Sequence, residues 1–166
     1  MNTIEQLVSN FNMTPHPEGG WYAETYRSAE LIPKSSLPSR FKGDRVYSTA
    51  IYFLLPAKSF SAFHRIQSDE CWHFYEGEPL NIYMINTQGV LSVIKLGKNI
   101  SAGEIFQAVV PAGCWFASMP EVEAGFSFVG CTVSPGFDFN DFELANAEKL
   151  SGKYPQHATI IKRLCR

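Results

Sequence analysis

"SAFHRIQSDECWHFYEGE", residues 61–78, is the stretch on which the reading of this chain turns. It carries two of the four histidines, His64 and His73, and four of the sixteen acidic residues. Alternate residues of an extended chain share a face, so an inward His64 brings Ala62 and Ile66 with it. Gln67-Ser68-Asp69 reads as a hairpin turn. On the returning strand Glu70, Trp72 and Phe74 share one face, and Cys71, His73 and Tyr75 the other. Two large aromatics belong inside and take Glu70 with them. His64 and Glu70 are therefore predicted to face one hollow from adjacent strands, with His73 turned away.

The same period extends on both sides. "WYAETYRS", "VYSTAIYFLLP", "LNIYMIN", "VLSVIKLG", "IFQAVVP", "CWFAS" and "FSFVGCTVS" are short strand-like runs separated by Gly, Pro and polar turns. With the two strands of the opening stretch they make about nine. Many short strands with no helix between them indicate an antiparallel sandwich or barrel. At the front, Ile4, Leu7, Val8 and Phe11 form one helical stripe, with Thr3 as its cap and Gln6 in capping-box register. "TPHPEGG" breaks this helix over residues 14–20. At the back, "NDFELANAEKLSGKYPQHATIIKRL" returns to helical character, with Ile160, Ile161 and Leu164 as its apolar face. The expected layout is one domain over 1–166: a helix at 3–12, a barrel at about 20–140 and a helical tail at 141–166.

Composition excludes several classes. A net charge of −2 across 166 residues leaves no footprint for nucleic acid. No apolar run approaches the roughly 18 residues a membrane span needs. "MNTIEQLVSNF" lacks the basic start and cleavage site of a secretory signal, so the cytoplasm is expected. Cys71, Cys114, Cys131 and Cys165 show no metal spacing and read as small buried hydrophobes. His16 and His157 read as surface residues, and "PEGG" as a structural turn.

The spacing His64, Glu70, Gly77 resembles the first motif of the cupins (H-x-H, three or four residues, E, six residues, G). "GEIFQAVVPAGCWF", with Gly103, Pro111 and Gly113, resembles the second (G, five residues, P-x-G, two residues, H), with seven residues before the proline. In metal-bearing cupins the three histidines and the glutamate hold one ion. His64 and Glu70 match two of these ligands, while Ile66 and Phe116 stand where the other two histidines would be. The blocks "HPEGGWYAETYRS", "FHRIQSDECWHFYEGEPL" and "VPAGCWFAS…FSFVGCTVSPGFDFNDFELA" are similar to the short single-domain cupin-5 branch. The resemblance implies an all-β jelly-roll barrel with a ligand pocket, paired as a homodimer. It implies no known reaction.

A two-ligand remnant falls short of the three or more donors a transition metal needs, so no metal cofactor is expected. The site reading makes His64 a base oriented by Glu70, with Tyr26 as an opposing acid. Trp72, Trp115 and Phe116 offer apolar walls for a sugar ring or base, and Glu24 and Arg27 either bind ligand at the rim or pair with each other. A metal-independent isomerase or epimerase of a small sugar- or nucleotide-like ligand fits these residues. So do a metal-dependent oxygenase or isomerase using unrecognised ligands, and a non-catalytic sensing module. Catalysis and binding are both compatible with the pair.

Overall fold

The computed structural model describes residues 3–166. Each of the nine expected runs is a strand: β2 (Trp21–Arg27), β5 (Thr49–Pro56), β6 (Ser61–Arg65), β7 (Asp69–Gly77), β8 (Leu80–Ile85), β9 (Leu91–Leu96), β10 (Gln107–Val110), β11 (Trp115–Pro120) and β12 (Phe126–Ser134). Four two-residue strands join them: β1 (Thr14–Pro15), β3 (Leu31–Ile32), β4 (Arg45–Val46) and β13 (Glu143–Leu144). Two antiparallel sheets face each other as an all-β jelly roll. One has six strands in the order β1-β2-β5-β12-β7-β10, the other five in the order β13-β6-β11-β8-β9.

This topology corrects the hairpin reading of residues 61–78. β6 pairs with β11 and β13, whereas β7 pairs with β12 and β10. The chain changes sheets at residues 66–68, and the corner is held by backbone groups of the Pro111-Ala112-Gly113 turn. The Gly113 N–H donates to the Ile66 carbonyl (2.9 Å) and the Ala112 N–H to Asp69 Oδ1 (2.8 Å). His64 and Glu70 thus stand on opposite walls of the barrel rather than on neighbouring strands.

The inward residues of both sheets, among them Phe53, Leu55, Trp72, Leu80, Ile82, Phe116 and Val129, fill the barrel core. Burying such side chains contributes roughly 1.5–3 kcal/mol each. Helix α1 (Thr3–Asn10) lays Ile4, Leu7 and Val8 over Met13, Leu54 and Phe128 on the outer face of the six-stranded sheet. Thr3, expected as its cap, is the first described residue of the helix itself. The tail corrects its expected boundary: Glu143 and Leu144 pair with β6 before the chain turns helical. Helices α2 (Ala147–Lys153) and α3 (Ala158–Arg163) then close the outer face of the five-stranded sheet through Leu150, Ile161 and Leu164. His157, expected on the surface, is half-buried and bonds the Gly89 carbonyl through Nε2 (2.9 Å), docking the tail onto the β8–β9 turn.

Candidate functional site

Between the two sheets lies a cavity of about 290 Å³. Alternation along each strand decides what reaches it. β5 sends in Thr49, Ile51 and Phe53, β12 sends Cys131 and Val133, β6 sends His64 and β7 sends Glu70. Phe137, Phe139 and Phe142, on the segment between β12 and β13, add an aromatic wall. That segment is anchored from three sides. Arg45 grips the buried Asp141 carboxylate through two hydrogen bonds of 2.6 Å each. The Phe137 N–H donates to Thr49 Oγ1 (3.0 Å), and its carbonyl accepts from Arg27 Nη1 (3.3 Å).

The remaining wall comes from "HPEGG". The chain reverses here: the His16 N–H donates to the Gly20 carbonyl and the Gly19 N–H to the His16 carbonyl, both at 3.0 Å. Gly19 and Gly20 take φ of +116° and +76°, a region that glycine enters without steric penalty. The tip is pinned to β6 by the Ala62 N–H donating to the Glu18 carbonyl (2.8 Å). His16 and Glu18 are thereby delivered into the cavity, which corrects the surface reading of His16 and the purely structural reading of the turn.

Glu18 is the partner of His64. Its Oε2 lies 2.9 Å from His64 Nε2, and its Oε1 accepts from Ser61 Oγ at 2.9 Å. The other ring nitrogen, Nδ1, is 2.7 Å from the Ala62 carbonyl oxygen. A carbonyl oxygen only accepts, so Nδ1 carries a proton, and both nitrogens of this buried ring (3 % exposed) are committed to the protein. Burial pushes the His64 imidazole down, but attraction and hydrogen bonding to Glu18 outweigh it, with Glu70 adding to the rise, and the net shift is upward. Burial pushes Glu18 up, and His64 overcomes this to bring it below its ordinary value. The two form a buried ion pair. His64 has no free nitrogen for a substrate, which corrects its expected role as the base.

Glu70 behaves differently. It is 8 % exposed, on the opposite wall, and burial raises its carboxyl to about 7; His64 and the Cys131 thiol pull the other way, while Glu18 adds to the rise. Cys131, read from sequence as an inert hydrophobe, donates its thiol to Glu70, and burial and that carboxyl push its own ionisation well above the ordinary range. The cavity thus holds one carboxyl that changes charge near neutrality.

The other expected residues separate. Glu24 and Arg27 do line the cavity, and they pair with each other, Arg27 Nη2 lying 2.7 Å from Glu24 Oε2. Strict alternation would put them on opposite faces, but the register shifts between Glu24 and Tyr26, so a bulge at Thr25 reverses the strand's facing. The same bulge turns Tyr26 outward, 54 % exposed, which removes it as a cavity acid. Trp72 and Phe116 are buried in the core cluster and are not among the cavity-lining residues; Phe116 packs on the His64 ring at 4.1 Å between centroids. Trp115 faces the other side of its sheet, packed with the C-terminal helices. For Glu18 the available signal was a short i, i+2 pair, His16 and Glu18, at a Gly-Gly turn before a strand.

The donor set does not fit a cupin-type metal ion. Ile66 presents hydrocarbon to the cavity, Phe116 fills a core position, and the nitrogens of His64 are both occupied. Among the described residues no three His, Cys, Asp or Glu side chains converge as an ion requires.

Comparison with known proteins agrees with this architecture. A family model described as "Cupin superfamily (DUF985)", Cupin_5, matches residues 5–145. Protein SO0799 from Shewanella oneidensis is 41 % identical, with a TM-score of 0.89 over 100 % of this chain and 99 % of its own. A hypothetical protein from Leishmania major is 35 % identical, with a TM-score of 0.87 over 99 % of each chain. The uncharacterized yeast protein YML079W (Saccharomyces cerevisiae) is 29 % identical over 157 residues, 89 % of this chain and 77 % of its own. Oxalate decarboxylase from Bacillus subtilis shares the fold alone, at 13 % identity and a TM-score of 0.56 over 94 % of this chain and 37 % of that one.

Proposed function

The chain belongs to the Cupin_5 family of the cupin superfamily, and on that premise we propose that its cavity binds a small, uncharged, sugar-like ligand on which Glu70 moves a proton. The reaction class is isomerisation. The observation that carries this reading is Glu70 itself: a buried carboxyl on the cavity wall, balanced at about 7, where a general acid–base group is most effective. The other charges of the cavity are matched, His64 with Glu18 and Arg27 with Glu24. Among the described residues no cation is left over for a phosphate, which favours a neutral ligand over a nucleotide. A volume of about 290 Å³ lies at the small end of ligand pockets, roughly 300–1,000 Å³, and suits a monosaccharide. Phe137, Phe139 and Tyr22 supply apolar walls for its C–H faces.

The His64–Glu18 pair serves this chemistry as fixed charge. Glu70 is the one carboxyl of the cavity that forms no ion pair among the described residues, so a single base shuttling a proton between neighbouring carbons fits better than a two-base epimerisation. Tyr26, Tyr75 and Val109 on strands of the six-stranded sheet are each about half-exposed, apolar surface that a homodimer would cover.

The test is solvent exchange. Aldoses and ketoses from trioses to hexoses are incubated with the protein in D2O near neutral pH and followed by NMR. Deuterium is expected at the carbon beside the carbonyl of at least one sugar, with Glu70→Gln abolishing it. Exchange at an undiminished rate in Glu70→Gln refutes the acid–base role. Saturable binding with no exchange in the wild type assigns the cavity to a sensing module instead.

A further inference from the structure

We propose that His16 is a second catalytic residue of this cavity: held in the Nε2–H tautomer, it donates to the carbonyl oxygen of the substrate, and this assigns the substrate class as α-hydroxy aldehydes and ketones. The inference rests on the proton-transfer reading of Glu70. The tautomer follows from hydrogen-bond accounting. The backbone N–H of Glu18 donates to His16 Nδ1 at 3.3 Å and has no other acceptor among the described residues. A buried N–H seeks a partner, and a ring nitrogen that accepts carries no proton. Glu18 Oε2, at 3.5 Å, is the longer of the two contacts to Nδ1 and already has His64 Nε2 at 2.9 Å, whereas the Glu18 N–H can only donate. The ring proton therefore sits on Nε2.

Nε2 opens on the cavity. His16 lines it, no side-chain bond to Nε2 exists among the described residues, and Nε2 is not one of their sealed, unpartnered polar atoms, which are Trp72 Nε1, Ser118 Oγ and Ser151 Oγ. The ring is caged by Tyr22 edge-on at 4.8 Å, Phe139 stacked at 6.1 Å, and the edges of Phe53 and Phe142. Burial in this cage lowers the imidazole's basicity; Glu18 raises it and His64 lowers it further, and the net shift is downward. His16 stays neutral, and a neutral imidazole polarises a carbonyl without giving up its proton irreversibly to it.

The step balances. The Glu70 carboxylate takes the proton from the carbon beside the carbonyl, and the C–H electrons become the C=C bond of an enediolate. The carbonyl π electrons move to oxygen, which the His16 N–H holds. Glu70 returns its proton to the former carbonyl carbon while the neighbouring hydroxyl proton passes to the held oxygen. Nothing is consumed.

Two measurements on the full chain separate this inference from the reading beneath it. The first is the long-range 1H–15N spectrum, which needs no substrate: a pyrrole-type Nε2 and a pyridine-type Nδ1 for His16 are expected, and the reverse overturns the proposal. The second compares His16→Phe and His16→Gln. His16→Phe should lower the kcat of exchange by about 10²–10³-fold, the loss typical of one oxyanion donor, with KM moving far less. His16→Gln, which keeps an N–H near the same place, should recover at least tenfold. Unchanged exchange in His16→Phe overturns the role of His16 and leaves Glu70 intact. If no sugar exchanges in the wild type, the Glu70 reading falls, and binding of glycolohydroxamate, an enediolate mimic, decides for His16. Tighter binding by wild type than by His16→Phe keeps it as the oxygen donor, and equal binding removes it.

Discussion

Replacing Glu70 by Gln should make the protein more stable, and by an amount that depends on pH in a defined direction. The Glu70 carboxyl sits at about 7 in the folded chain against an ordinary 4.5. Between those values the folded state holds a proton that the unfolded chain has released, so stability falls as pH rises. The full difference is worth about 3.4 kcal/mol at ~1.36 kcal/mol for each pH unit. Roughly 2.5 kcal/mol of it develops between pH 5 and pH 8, with the steepest part below 7. Gln keeps the shape, can still accept from the Cys131 thiol, and carries no charge. Urea unfolding of both proteins at a series of pH values gives the quantity directly. Glu70→Gln minus wild type should grow by about 2.5 kcal/mol from pH 5 to pH 8, while His64 and Glu18, common to both proteins, largely cancel. A difference that stays flat with pH would show that Glu70 is ionised throughout, and the acid–base assignment would lose its foundation.

Glu18→Ala leaves the buried His64 Nε2 without its acceptor and should destabilise by about 3–5 kcal/mol. His64 is raised, so its share is present below its ordinary 6.5 and lost as pH rises through its folded value. Glu18 is lowered, so its share is present above its ordinary 4.5 and lost as pH falls through its folded value. The loss in Glu18→Ala should therefore be largest between pH 4.5 and 6.5, which chemical denaturation across that range checks. Arg45→Ala strands the Asp141 carboxylate and frees the aromatic wall; about 3 kcal/mol of stability should go, with weaker sugar binding by calorimetry. Tyr26→Phe, outside the cavity, should change stability by less than about 0.5 kcal/mol and leave exchange untouched; a drop in exchange would restore Tyr26 to the site.

The inward placement of Glu70 was legible because it shares a strand face with Trp72 and Phe74. The same reasoning placed His64 with Ala62, and all three are buried. The motif spacing carried the family. What alternation could not reach were interruptions of itself. The bulge at Thr25 adds one residue to β2 and inverts the facing of Tyr26 and Arg27, and the corner at 66–68 sends consecutive strands into different sheets. Trp72, Trp115 and Phe116 look alike as aromatics, yet two pack in the barrel core and one on the opposite side under the helices.

By itself, then, the sequence determined which segments are strands and, where the two-residue period runs unbroken, which of their residues share a face, because facing is a property of the local backbone period. Only the tertiary structure decided that His64 answers to Glu18, that His16 enters the cavity, and that Glu70 has no ion-pair partner among the described residues. Those pairings join a hairpin tip to strands far along the chain. Their energy exists only once both sheets have closed around the charges and excluded water from them.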